Sequence, residues 1–238
     1  VGSKTGILYE TAGALGRGER IFITAKLPDY IKVGKNDLIE QYLFLTTSHN
    51  GSSSITAAFT PIRVVCNNTL NAALQGVTNA VRIRHTVNVH WKLKEAHKLL
   101  GISNRLNKEL GDIFNHWSKV RITDKHVKRL VQLALAPNKE TLDSLYQDRD
   151  EKLSAMFNNM VSSVMDYALT SPSQDFDTTK GTLYGCYNAV TGYFQNVRNY
   201  KDDESKLKSI MFGTASQRAQ VAFDLCHGYA QVGAGVLN

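Results

Sequence analysis

Alternating apolar and polar positions run through the first quarter of the chain. Arg20 to Lys26 (RIFITAK) alternates, and Gly6 to Leu15, Leu38 to Ser48 and Ser53 to Phe59 carry the same strand-like signature. Gly16-Arg17-Gly18 and Asn50-Gly51 punctuate these runs, the second as a hairpin signal between Leu45–Thr47 and Ile55–Ala57. Pro28 to Asn36 predicts a loop with its own bend at Gly34. The pattern predicts an antiparallel β-meander. A further β-type run, Ile62 to Val65, with Arg63 projecting opposite its neighbours, ends at Asn67-Asn68-Thr69, whose short polar side chains suit the cap of a helix from Leu70 to Leu74.

Beyond this point the period lengthens. Val89, Leu93, Ala96, Leu100, Leu106, Leu110, Ile113 and Trp117 fall on one helical face, which predicts a helix of up to about thirty residues from Asn88. Val127 to Leu135 predicts a short helix ending before Pro137. Lys139 to Leu169 repeats apolar residues in near-heptad fashion, broken only by Arg149, and reads as a packing helix or an oligomer seam. Ser171 to Thr179 predicts an exposed loop. Lys180 to Tyr200 predicts a helix carrying Tyr184, Tyr187, Tyr193, Phe194 and Tyr200, aromatics that either stack on unpaired bases or face the core. Lys201 to Glu204 is a charged break before a final helix, Ser216 to Gly228. The fold class expected is α+β: an N-terminal antiparallel meander with a motif helix over residues 1–87, then a helical region over 88–238 packed on it as one continuous domain.

Charge sharpens this outline. From Val81 to Arg129 there are twelve Lys or Arg against four acids, a balance of +8, while the whole chain carries +7. Five of the seven histidines, His85, His90, His97, His116 and His126, lie in the same segment. Such a block is the electrostatic footprint of a polyanion, nucleic acid first; the alternative is a lysine-rich solvated surface. On the expected helix, Lys94, Lys98, Arg105 and Lys108 lie within roughly 40° of one line at 100° per residue, opposite the apolar face. A stripe of this kind tracks a phosphate backbone, although Asp112 on the same line fits a plain solvated face. Arg63 on one side and Arg82, Arg84 and His85 on the other flank the Asn67-Asn68-Thr69 cluster, an arrangement suited to an anion at a helix N-terminus.

Other chemistry is weakly signalled. Cys66, Cys186 and Cys226 are odd in number and lack CxxC spacing, against a disulfide framework or a zinc site and in keeping with a reducing cytoplasm. Cys66 with His85 invites a thiol-nucleophile reading, yet a cysteine ending an apolar strand is ordinarily a small hydrophobe. Gly13 to Gly18 (GALGRG) lacks the Lys-Ser or Lys-Thr of a phosphate loop, and neither a metal nor a cofactor is expected. No apolar run approaches the ~18 to 20 residues of a membrane span, and VGSKTGILYE has no signal-peptide pattern. The start at Val1 rather than Met points to upstream residues trimmed or processed.

The runs RVVCNNTLNAAL, RIRHT and YNAVTGYF resemble a family of phage- and plasmid-borne proteins carrying the domain of unknown function 932, matching at Arg63–Leu70, Arg84–Thr86 and Tyr187–Thr191. That resemblance implies a mobile-element setting, hence a bacterial cytoplasm, and no particular activity. A meander followed by a helix beside a basic groove is also similar, in architecture alone, to single-strand annealing recombinases. The function expected is binding or annealing of single-stranded DNA by a homo-oligomer through Arg63, Asn67, Asn68, Thr69, Arg82, Arg84, His85, Lys94, Lys98, Arg105 and Lys108. The alternatives are an interaction protein acting on an acidic host partner, or a Cys/His-dependent enzyme.

Overall fold

Four consecutive strands form the meander: β1 (Leu8–Leu15), β2 (Arg20–Val33), β3 (Asp37–Ser48) and β4 (Ile55–Arg63), each antiparallel to the next. The structure, a computed structural model, describes residues 8–15, 17–49, 55–65, 68–69, 80–83 and 105–238. Two short strands pair with the far side of β4. These are β5 (Asn68–Thr69), opposite Ile62 and Arg63, and β6 (Ala80–Ile83), opposite Ile55 to Ala58. Pro61, which has no N–H to donate, falls in the gap between those two partners.

The sheet differs from expectation in one useful place. Residues 28–33, predicted as part of a loop, continue β2: pairing passes from Lys26–Tyr42 to Tyr30–Glu40, so that a bulge absorbs Pro28. The true turn is residues 34–36, between the paired Val33 and Asp37, with Gly34 at φ +60°. Along β2, Ile31 and Val33 therefore point into the core while Tyr30 and Lys32 point out.

The second half is helical, as expected for an α+β chain. Helix α1 is described over residues 105–117 and buries Leu106, Leu110, Phe114 and Trp117. After it come α2 (Asp124–Leu135), α3 (Lys139–Tyr146), α4 (Ala155–Thr170), α5 (Leu183–Gly192), α6 (Asp203–Phe212) and α7 (Thr214–Val232). Five of these begin on a residue whose side-chain oxygen accepts from a first-turn N–H: Thr123, Asn138, Ser154, Thr182 and Asp202.

Two helical expectations are corrected. The single helix expected over Lys139–Leu169 is two helices. At the end of α3, Arg149 N–H bonds to Ser144 O at 2.9 Å and Asp148 N–H to Leu145 O at 3.1 Å. This is a Schellman cap with Asp148 at φ 51°. A 3₁₀ turn, Asp150–Lys152, and the Ser154 cap then start α4 in a new direction, so no continuous heptad seam exists. Second, the loop Ser171–Thr179 is not simply exposed. Its 3₁₀ turn Pro172–Gln174 buries Ser173 and Gln174, and Thr179 is buried after it.

One core serves sheet and helices alike. Leu27, Ile31, Val33, Ile39 and Phe59 from the strands join the apolar faces of the helices. At its centre Trp117 meets Phe223 with ring centroids 4.9 Å apart, and Phe114 and Tyr187 complete the aromatic knot. Every residue of α5 is buried, including Tyr184 and Tyr187. Those rings, with buried Phe194 beyond them, face the core rather than a nucleobase.

Candidate functional site

Arg63 is the first correction to the expected site. It projects opposite its neighbours, but inward: Val64 and Val65 are exposed while Arg63 is fully buried. Ile39 lies directly opposite Arg63, so Asp37, two residues away along β3, shares its face. Arg63 Nε donates to Asp37 Oδ1 at 2.8 Å and Oδ2 at 2.9 Å, and Nη2 donates to Oδ2 at 2.6 Å. Arg63 Nη1 donates to Ser173 O at 2.9 Å, and Thr178 Oγ1 donates to Asp37 Oδ2 at 2.9 Å. The rings of Phe176 and Tyr184 lie 5.7 and 5.6 Å from the guanidinium carbon. A guanidinium so enclosed ties the sheet to the segment before α5 and leaves no face for a phosphate.

The other expected residues divide in three. Asn68, Thr69 and Arg82 lie on β5 and β6, where Thr56 pairs with Arg82. Asn67, Arg84, His85, Lys94 and Lys98 lie outside the described residues, as do Cys66, the hairpin turn at Asn50-Gly51, the expected helix Leu70–Leu74 and residues 88–104 of the long helix. Arg105 and Lys108 stand exposed on α1. Arg105 Nε donates to Glu109 Oε1 at 2.7 Å, an ion pair one turn apart with the Arg105 side chain 71% exposed. At that exposure the pair is weak and yields readily to a competing phosphate.

Lys108 opens onto a groove of about 380 Å³ between α1 and β2. Exposed Tyr30 and Lys32 form the strand side, Lys108 and Asn107 the helix side, and Asp29 and Asp112 offset the two lysines. Asn115 fixes this geometry. Its Oδ1 accepts from Gly34 N–H at 2.9 Å, and its Nδ2 donates to Lys32 O and to Gly111 O, both at 2.8 Å. An exposed tyrosine in the same groove as two lysines offers a ring on which a base could stack. Tyr30 and Lys32 were missed because the stretch reads as a loop; the Tyr-Ile-Lys-Val alternation before Gly34 was the signal that could have found them.

The described thiols are poor nucleophiles. Cys186 and Cys226 are both buried, and burial, followed by the neighbouring Cys186, pushes the Cys226 thiol well above its usual range. Among the described residues no three His, Cys, Asp or Glu side chains cluster as metal ligands.

Fold and site together define an α+β protein in which an antiparallel meander is tied by a buried ion pair to a helical half with a cationic flank. The chain belongs to the family of the domain of unknown function 932 (DUF932), whose model matches residues 1–211. No curated protein and no solved structure matches it. Of the motifs carrying the family likeness, Arg63 closes the buried ion pair and Tyr187–Thr191 lies wholly buried in α5, so both are parts of the scaffold. Among the described residues no helix is long and apolar enough to cross a membrane.

Proposed function

We propose that the protein binds nucleic acid, favouring single-stranded DNA of a phage or plasmid in a bacterial cytoplasm, and that it assembles into a homo-oligomer along the strand. One observation supports this reading: the described part of the basic block, from Arg105 to Arg129, is outward-facing. Arg105, Lys108, Lys119, Arg121, Lys125 and Lys128 are all exposed, and Arg129 is half-buried. With Arg63 withdrawn into the core, the contacting set becomes Arg82, Arg84, His85 and the stripe Lys94, Lys98, Arg105 and Lys108, with Asn67, Asn68 and Thr69 as donors to phosphate. Lys32 and Tyr30 join it across the groove. Capture is electrostatic: each neutralised phosphate releases condensed counterions, so affinity falls steeply with salt. Oligomerisation multiplies such contacts along a strand, which is the requirement for annealing.

The test is a salt titration of a fluorescent single-stranded oligonucleotide. Wild type should bind at low salt with a steep slope. Reversing Lys94, Lys98, Arg105 and Lys108 to glutamate should weaken binding by at least about a hundredfold and flatten the slope by about 0.7 for each phosphate no longer neutralised. Absence of binding at low salt would sink the reading and leave the acidic host partner; unchanged affinity in the variant would dismiss the stripe.

A further inference from the structure

At the end of the basic block several side chains converge on one cavity. On α2, Lys125, Lys128, Arg129 and Gln132 are spaced at i, i+3, i+4 and i+7, so they share one face, while Val127, Leu130, Val131 and Ala134 face the core. That cationic face does not simply meet water. Tyr146 at the end of α3 with Asp148 just beyond it, and the final 3₁₀ turn Gly233–Leu237, rise on either side of it around about 520 Å³, within the range of small-molecule sites. Ala234 and Leu237, which wall the cavity, lie beyond the residues the family model matches.

Arg129 is held in place. Its Nε donates to Leu237 O at 3.2 Å and its Nη1 to Leu145 O at 2.9 Å, and its guanidinium lies over the Tyr146 ring at 5.8 Å. His126 is fixed as well, through Nδ1 to the Tyr229 hydroxyl at 3.0 Å. Tyr146 remains half exposed. The lining side chains include three permanent cations, Lys125, Lys128 and Arg129, against one carboxylate, Asp148, a side-chain balance of +2. A phosphate monoester carries about −1.5 to −2 near neutral pH, which that side-chain excess can neutralise. The Asp148 carboxylate also supplies what a bare phosphate does not need, an acceptor for a hydroxyl or amino group, beside an aromatic ring able to stack.

We propose that this cavity binds a nucleoside monophosphate, either free or as the 5′-phosphorylated end of a strand, with the phosphate on Lys125, Lys128 and Arg129 and the nucleoside toward Tyr146 and Asp148. The assignment stands on the α2 cavity and is independent of the α1 stripe.

Isothermal titration calorimetry of the full chain tests it, with AMP, adenosine, and a short oligonucleotide bearing either a 5′-phosphate or a 5′-hydroxyl. AMP, the 5′-phosphorylated strand, or both should bind; adenosine should not. If AMP binds, the free nucleotide is a ligand; if only the phosphorylated strand binds, the ligand is a strand end. Exchanging the exposed pair, Lys125→Glu with Lys128→Glu, should reduce that binding at least about tenfold without shifting the thermal melt. Adenosine binding as well as AMP, equal affinity in the lysine variant, or a strand whose affinity ignores its 5′-phosphate while AMP fails to bind each overturns the proposal. Binding of the 5′-hydroxyl strand reports separately on the DNA-binding reading, so failure of one is distinguishable from failure of the other.

Discussion

Asp37 and Arg63 sit where water does not reach, each nearly or fully buried, and every short bond between them holds two β-strands and the segment before α5 in one arrangement. Removing one charge strands the other. Asp37→Asn should therefore cost about 3–5 kcal/mol in urea unfolding, and adding Arg63→Met should recover a large part of that loss, because the unpaired charge is then gone. Alone in an apolar run, an arginine reads as cationic surface; its acceptors lie 26 and 110 residues away, a separation no local pattern reports. Burial also sets the response to alkali. It pushes the Tyr187 phenol and the Cys226 thiol above their ordinary values, so the folded chain keeps protons that the unfolded chain sheds. Stability from both groups is complete below the unfolded values and is lost as pH rises, from about 8.5 for the thiol and about 10 for the phenol. The urea midpoint should fall across pH 8.5–11. Tyr187→Phe should blunt the upper part of the fall, with little cost at pH 7, since the Tyr187 hydroxyl is buried without a hydrogen-bond partner.

Helix boundaries follow the caps more than the apolar period. Ser154 ends the irregular stretch after α3 and accepts from Phe157 N–H at 3.2 Å. Ser154→Ala should cost about 1 kcal/mol in thermal unfolding, and a cost within error would mean that packing of Phe157, Val161 and Val164 alone fixes the start of α4. Whereas α4 buries Phe157, Val161, Val164 and Tyr167 and leaves Met156 of the near-heptad row exposed, the apolar rows of α1 and α2 were legible because a helix face repeats regularly. The break between α3 and α4 was not, since its left-handed residue is Asp148 rather than glycine, and aspartate carries no such signal by itself. Helix α6 was hidden likewise: Asp202 reads as one more charge in a polar break, yet it caps the helix, accepting from Ser205 N–H at 2.7 Å. Gly185 shows a constraint that only the assembled elements impose. A Cβ there would lie 1.9 Å from Thr179 O, so α5 approaches the preceding segment more closely than alanine allows.

At the scale of the molecule, sheet and helices close one core, and α7 contributes Ala222, Phe223, Cys226 and Tyr229 to it although the family match ends at residue 211. The meander, the helical half and the excess of positive charge were all readable from periodicity and composition. The two concave surfaces were not, because each is built by chain segments far apart in sequence: β2 with α1 for the groove, and α2 with the end of α3 and the final turn for the cavity. Another joint is the amide of Asn115. It grips the Gly34 turn, the Lys32 carbonyl and its own helix at once. Helix α1 can neither roll nor slide along the sheet without breaking that grip, so Arg105, Lys108 and Lys32 keep a set spacing, like marks on a ruler. Under the proposed DNA-binding reading, a strand laid across them would meet a template cut in advance, and the visitor rather than the protein would adjust its stride.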